Sequence, residues 1–213
     1  AAPPRAAPPQ SRGGFGPHTP KARLYTTGRD SKARRSAQSA LHHVTQALLR
    51  VMAPILSFTA EEAWSVLHPG GDGSVFLHTW NDLLPAQDGE QAILAKWRRI
   101  REIRAVAQRE LEELRKAGAT GSSLAAGIEI AAPEGDRVLL ESLGEDLRFV
   151  LITSAATVVA GESLAVRVTP SPAAKCERCW HYREDVGADP RHRTLCGRCV
   201  GNIEGPGETR RHA

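Results

Sequence analysis

The chain has 213 residues and a formal net charge of +4. Its 41% hydrophobic and 5% aromatic content argues against one large core, so two or three small units are expected. No apolar run approaches the roughly 20 residues of a membrane span, so no membrane association is expected, and the slight basic excess permits a polyanionic partner without requiring one.

Residues 1–20 are dominated by Ala, Pro and Gly, a composition that buries too little apolar surface to offset its ordering entropy. They are expected to form a disordered tail. A helix should begin at Asp30 as N-cap and bury Ala33, Ala37, Ala40, Leu41, Val44, Leu48 and Val51, leaving Arg34, Arg35, Gln38, His42 and Arg50 on its other face. Pro54 should end it. Thr59-Ala60-Glu61-Glu62 reads as a capping box opening a short helix with Ala63, Trp64 and Leu67 inward, stopped by Pro69-Gly70-Gly71. A brief extended piece follows over 75–80.

The longest helix is predicted over 91–116. Ile93, Trp97, Ile100, Ile103, Ala107, Leu111 and Leu114 form its apolar stripe, with Gly118 at the C-cap and Arg98, Arg99, Arg101, Arg104 and Arg109 outside. Beyond Gly118 the period changes. Ile128-Glu129-Ile130 alternates like a strand, 138–143 and 145–152 read as short helices, and 156–160 and 164–168 as valine-paired strands. Ser171-Pro172 marks a linker.

All four cysteines follow: Cys176 and Cys179, then Cys196 and Cys199, two CxxC pairs at structural-zinc spacing. Four thiolates close a tetrahedron at about 2.3 Å per Zn–S bond and leave no position for water, so one zinc would build structure and perform no chemistry. Two disulfides or redox-active pairs are the alternative; the absence of a secretory signal and of other cysteines weighs against them.

Trp180, Tyr182, Arg183, Arg178 and Arg198 cluster around these pairs. Rings interleaved with guanidiniums suit nucleic acid, the rings stacking on unpaired bases and the arginines engaging phosphates. Equally, Trp180 and Tyr182 could pack over the metal as a minimal core. Arg34 and Arg35, with few acids nearby, are further candidates for phosphate contact. His181 and His192 are poor candidates as ligands beside four thiolates. No phosphate-cradling loop or hydrolase motif occurs in the sequence.

The stretches RLYTTGRDSKARRSAQSAL, MAPILSFTAEEAW, GEDLRFVLITSAATV, KCERCWHYREDVG and CGRCVGNIEGPGE, taken together, resemble the C-terminal part of bacterial isoleucyl-tRNA synthetases from about Lys21 to Ala213. The finger alone also resembles that of formamidopyrimidine-type DNA glycosylases, but MAPILSFTAEEAW is similar to the anticodon-binding bundle of the isoleucine, leucine and valine enzymes. The resemblance implies a multidomain layout: a tail (1–20), a partial α-helical anticodon-binding bundle (21–118), a small α+β junction unit (119–170) and a four-cysteine zinc finger (171–213). It implies one structural zinc, recognition of the anticodon stem-loop of isoleucine tRNA, a cytoplasmic monomer and no DNA partner. ATP would be used only in a catalytic domain that is absent here, since the HIGH and KMSKS signatures and the editing domain have no match, so no activity is expected of this chain alone. The competing expectations are a freestanding nucleic-acid-binding zinc protein and a DNA glycosylase tail, the latter lacking its Pro-Glu start.

Overall fold

A computed structural model describes residues 22–71, 73–79 and 88–212; the expected tail over 1–20 lies outside these. The chain divides into two compact units, Arg35–Glu90 and the remainder. Among the described residues, no helix is long and apolar enough to cross a membrane.

Helix α1 spans Lys32–Met52. Its cap is Ser31, whose Oγ accepts the Arg34 N–H at 3.2 Å, one residue beyond the predicted Asp30. Ala33 and Ala37 are buried as the period requires, but Ala40, Leu41, Val44, Leu48 and Val51 are exposed, and Leu49 and Arg50 are buried instead. The periodicity identified a stripe; it could not identify which part of that stripe finds a partner.

Within the unit Arg35–Glu90, α2 (Ser57–Leu67) begins two residues before Thr59, so the expected capping box lies inside the helix. Glu61 instead uses Oε2 to accept the Ser74 hydroxyl at 2.8 Å and the Val75 N–H at 2.9 Å. Residues 75–77 form a 3₁₀ turn where an extended piece was expected. Trp64 is the large buried side chain of this unit, 4.3 Å from the His68 ring and 4.6 Å from that of His78, over a core of Leu49, Ala53, Ala60 and Val75.

The second unit is organised by α3, Glu90–Lys116. Ile100, Ile103, Ala107 and Leu111 are buried, with Trp97 and Leu114 packed beside them; Ile93 is exposed. The helix ends in a Schellman arrangement: Gly118 N–H donates to the Arg115 carbonyl and Ala119 N–H to that of Leu114. Gly118 has φ +73°, which an L side chain adopts only under strain. Arg104, expected outside, is buried and donates from Nε to the Val150 carbonyl at 2.8 Å.

Strand β1 (Ala126–Ala132) is central in a three-stranded mixed sheet, parallel to β2 (Ala155–Ala160) and antiparallel to β3 (Ala165–Pro170). Ala126, Ile128, Ile130 and Ala132 point into the core, while Glu129 faces out beside Thr157 and Arg167. The parallel crossover carries α4 (Glu134–Glu141) and the one-turn α5 (Leu147–Leu151). Their Leu140, Leu147, Val150 and Leu151 close the core against α3 and the sheet.

Around Gly118 no atom lies within 4 Å of an added Cβ, so substitution there tests backbone conformation alone. Gly118→Ala should lower unfolding free energy by about 1–2 kcal/mol in denaturant titration. Gly121→Ala, in equally open space without a positive φ, should change it by less than about 0.5 kcal/mol.

Candidate metal centre and nucleic-acid interface

The finger uses two local devices to aim four sulfurs inward. A short hairpin, β4 (Ala174–Lys175) with β5 (Tyr182–Arg183), brackets the first CxxC turn. That turn closes through Cys176 N–H to the His181 carbonyl and Trp180 N–H to the Cys176 carbonyl, both 2.9 Å. The second pair opens α6 (Gly197–Glu204), with Cys196 as N-cap and Cys199 in the first turn, where helix-terminal amides favour thiolates. Gly187 makes the return loop possible: it has φ +83°, and a Cβ there would lie 2.8 Å from the Arg193 carbonyl oxygen.

All four Sγ atoms lie within 4.8 Å of one another and all four cysteines are buried. Cys179 and Cys196 are 3.7 Å apart, close to the roughly 3.8 Å edge of a tetrahedron with 2.3 Å bonds. The Cys196 N–H donates to Cys176 Sγ at 3.3 Å, a contact suited to a thiolate. Among the thiols themselves the charge is unevenly held. Hydrogen bonds from Cys196 and Cys199 drive Cys179 far below the usual thiol range, whereas the Cys179 contact pushes Cys196 up to about 11 and Cys199 higher still. Only a cation lets four sulfurs this close ionise together, and a soft, tetrahedral, closed donor set fits one zinc.

Val186 and Leu195 pack on the cysteines. Trp180 does not: it is 61% exposed, with φ +66° and the Lys175 ammonium 5.6 Å from its ring centroid. Tyr182 is half-buried and donates its N–H to Ser154 Oγ. Arg183 lies 3.4 Å from Asp185.

Of the other predicted arginines, Arg178, Arg198 and Arg35 have intramolecular side-chain partners. Arg178 donates to the Thr26 carbonyl at 2.7 Å and the Tyr25 carbonyl at 3.2 Å, closing off the helical turn over 22–26. Arg198 is half-buried, bonded to Glu208 at 2.7 Å and to Thr26 Oγ1 at 3.1 Å. Burial opposes its charge, but Glu208 and the sulfurs of Cys179 and Cys199 outweigh that and raise its pKa. Arg34 and Arg35 stand in the first turn of α1, Arg35 3.5 Å from Gln38 Oε1. His181 and His192 are not ligands: His181 Nδ1 lies 3.1 Å from the Cys179 carbonyl oxygen, and His192 Nε2 lies 2.6 Å from Glu204.

Phe149, which sequence reasoning missed, joins finger to sheet. The guanidiniums of Arg210, Arg148 and Arg198 lie 3.4, 4.8 and 5.1 Å from its ring centroid, and His181 meets it edge-on at 5.2 Å. Burial depresses Arg148 and brings Arg210 down to about 10. Tyr25 and Ile152, also missed, border the same place. Nothing local signals them, because they meet the finger only through the fold.

The arrangement defines a zinc-finger protein in which a closed tetrathiolate carries an exposed aromatic, joined to a helical segment. Residues 18–130 match the family described as the anticodon-binding domain of tRNA ligase, and residues 174–201 match a zinc finger found in FPG and IleRS. The chain belongs to the anticodon-binding-domain family of tRNA ligases. It is similar to isoleucine–tRNA ligases of Thiobacillus denitrificans (58% identical over 201 residues), Azoarcus sp. (54% over 196) and Chromobacterium violaceum (53% over 195). These alignments cover 94%, 91% and 91% of this chain and 21% of each relative, so the chain spans about a fifth of their length.

Metal analysis of the purified chain should return about one zinc. Cys179→Ser should lose it, together with amide protection over 174–204, while the sheet keeps its own protection. Because the bound ligands are thiolates, acidification should release the metal; release that is flat with pH would contradict the assignment.

Proposed function

We propose that this chain is the tRNA-recognition part of an isoleucine–tRNA ligase, gripping the anticodon stem-loop of isoleucine tRNA while adenylate chemistry belongs to other parts of such an enzyme. The support is the match to the anticodon-binding family, the zinc finger and the similarity to isoleucine–tRNA ligases. In this reading, the division into a helical bundle over 21–118, a junction unit over 119–170 and a finger over 171–213 follows function, and the chain acts as a monomer in the cytoplasm.

The observation that carries the reading is Trp180. A non-glycine residue in the left-handed region costs on the order of 1–3 kcal/mol, and here the residue is a tryptophan left 61% exposed. Neither stability nor core packing accounts for it. A rigid exposed ring beside Lys175 suits stacking on an unpaired base, since a pre-ordered ring loses little entropy on binding. Arg183, Arg34 and Arg35 supply a phosphate term, so their loss should weaken binding to any RNA and flatten its salt dependence. Arg178 and Arg198 would contribute largely by holding the turn over 22–26 to the finger.

Trp180→Gly separates stacking from metal support, because glycine relieves the backbone strain. Zinc content should be unchanged, while affinity for isoleucine tRNA should fall by about one to two decades, the value of one base stacked on an aromatic. Retained zinc with unchanged affinity would refute the stacking role.

The same reading forecasts that the chain alone supports no isoleucine-dependent ATP–pyrophosphate exchange, because its sequence holds no phosphate-cradling or adenylate-forming motif. Exchange above background from the pure chain would overturn the division of labour.

A further inference from the structure

Beside the zinc turn lies a pocket of about 530 Å³, within the size range of small-molecule sites. Leu124, Phe149 and Ile152 give it apolar walls, and Tyr25, Trp180 and His181 complete it. Three independent features single it out. The first is strain: among the described residues, Ile152 (φ 61°) and Trp180 (φ 66°) are the non-glycine positions with positive φ, and both line this pocket. A β-branched residue in that region is a genuine outlier, and such outliers concentrate where a fold clamps a ligand.

The second is a pair of rings. Tyr25 is 72% exposed and Trp180 61%, yet their backbones are held together. Arg178, two residues before Trp180, donates to the Tyr25 and Thr26 carbonyls at 3.2 and 2.7 Å. Both exposed rings therefore stand on anchored backbone.

The third is an orphaned ring nitrogen. His181 is only 6% exposed, and its Nδ1 lies 3.1 Å from the Cys179 carbonyl oxygen. A carbonyl can only accept, so Nδ1 carries a proton and Nε2 must pair elsewhere. That Nε2 is buried without a partner.

We propose that this pocket receives one unpaired RNA base, held between Tyr25 and Trp180, with His181 Nε2 hydrogen-bonded to its edge. An aliphatic ligand would leave the nitrogen unpartnered and the rings unused. A base supplies a planar face for each ring and a polar edge for the nitrogen, and Lys175, whose ammonium stands over the Trp180 ring, would meet the adjoining phosphate. The assignment rests on the RNA-binding reading above and adds two residues to it, Tyr25 as the second wall and His181 as the edge contact.

The test couples one residue to one base. A synthetic anticodon stem-loop hairpin of isoleucine tRNA, and variants each with one abasic loop position, are titrated by anisotropy at fixed salt. The proteins are the unmodified chain, Tyr25→Ala and Tyr25→Phe, each checked for zinc. One abasic position should weaken binding to the unmodified chain and to Tyr25→Phe by about tenfold, and to Tyr25→Ala by less than about twofold. If the hairpin binds but every abasic penalty is the same in all three proteins, the clamp is wrong and the RNA-binding reading survives. If the hairpin fails to bind the unmodified chain, both fall.

Discussion

Four sulfurs within 4.8 Å of one another are the constraint on which the C-terminal half of the molecule depends. Residues 174–204 contain only two-residue strands and one short helix, and beyond the cysteines only Val186 and Leu195, among the described residues, pack into their cluster. Apolar burial on that scale cannot hold so many loops, so metal binding must supply the folding energy. The metal also dictates the backbone. Closing the first CxxC turn onto the Cys176 carbonyl forces Trp180 into the left-handed region, and the ring then projects from a fixed point.

A tetrathiolate zinc centre carries excess negative charge, and the surrounding arginines answer it. Arg198 sits against the sulfurs, and Arg148 and Arg210 join it around Phe149. Desolvation works against each of these cations, so they persist because Glu208, Asp146 and the metal centre oppose it. The last residues close the assembly: the Arg211 and His212 N–H groups donate to Asp146 Oδ2 at 2.8 and 2.7 Å, pinning the C-terminal strand of chain to the turn before α5. Finger, sheet and the turn over 22–26 are thus joined by charge and backbone hydrogen bonds more than by apolar contact.

What could be read from the sequence follows from how local each feature is. The zinc ligands were legible because CxxC spacing constrains geometry within four residues, and the long helix because its stripe and its terminal Gly118 agree. Arg104 was misread because its partner, the Val150 carbonyl, is 46 residues away. Leu41, Val44 and Leu48 were misread because a period records an amphipathic face without recording its partner. The Tyr25–Trp180 pocket was invisible for the same reason as Arg104, since it exists only where distant turns meet.

The identity of the residue after the second zinc ligand then becomes informative. Glycine at Trp180 would close the same turn without steric penalty and leave the four sulfurs where they are. A small polar residue would cost less than tryptophan in exposed apolar area. Tryptophan concedes on both counts, strained and in contact with water, and it gains no burial among the cysteines in return. What it does gain is position: a ring on a metal-held turn, lining a pocket that a second exposed ring, Tyr25, also lines. A ring held strained and exposed on a metal-closed turn has little freedom left to lose on engaging a ligand, which is the preorganisation that the proposed base site draws on.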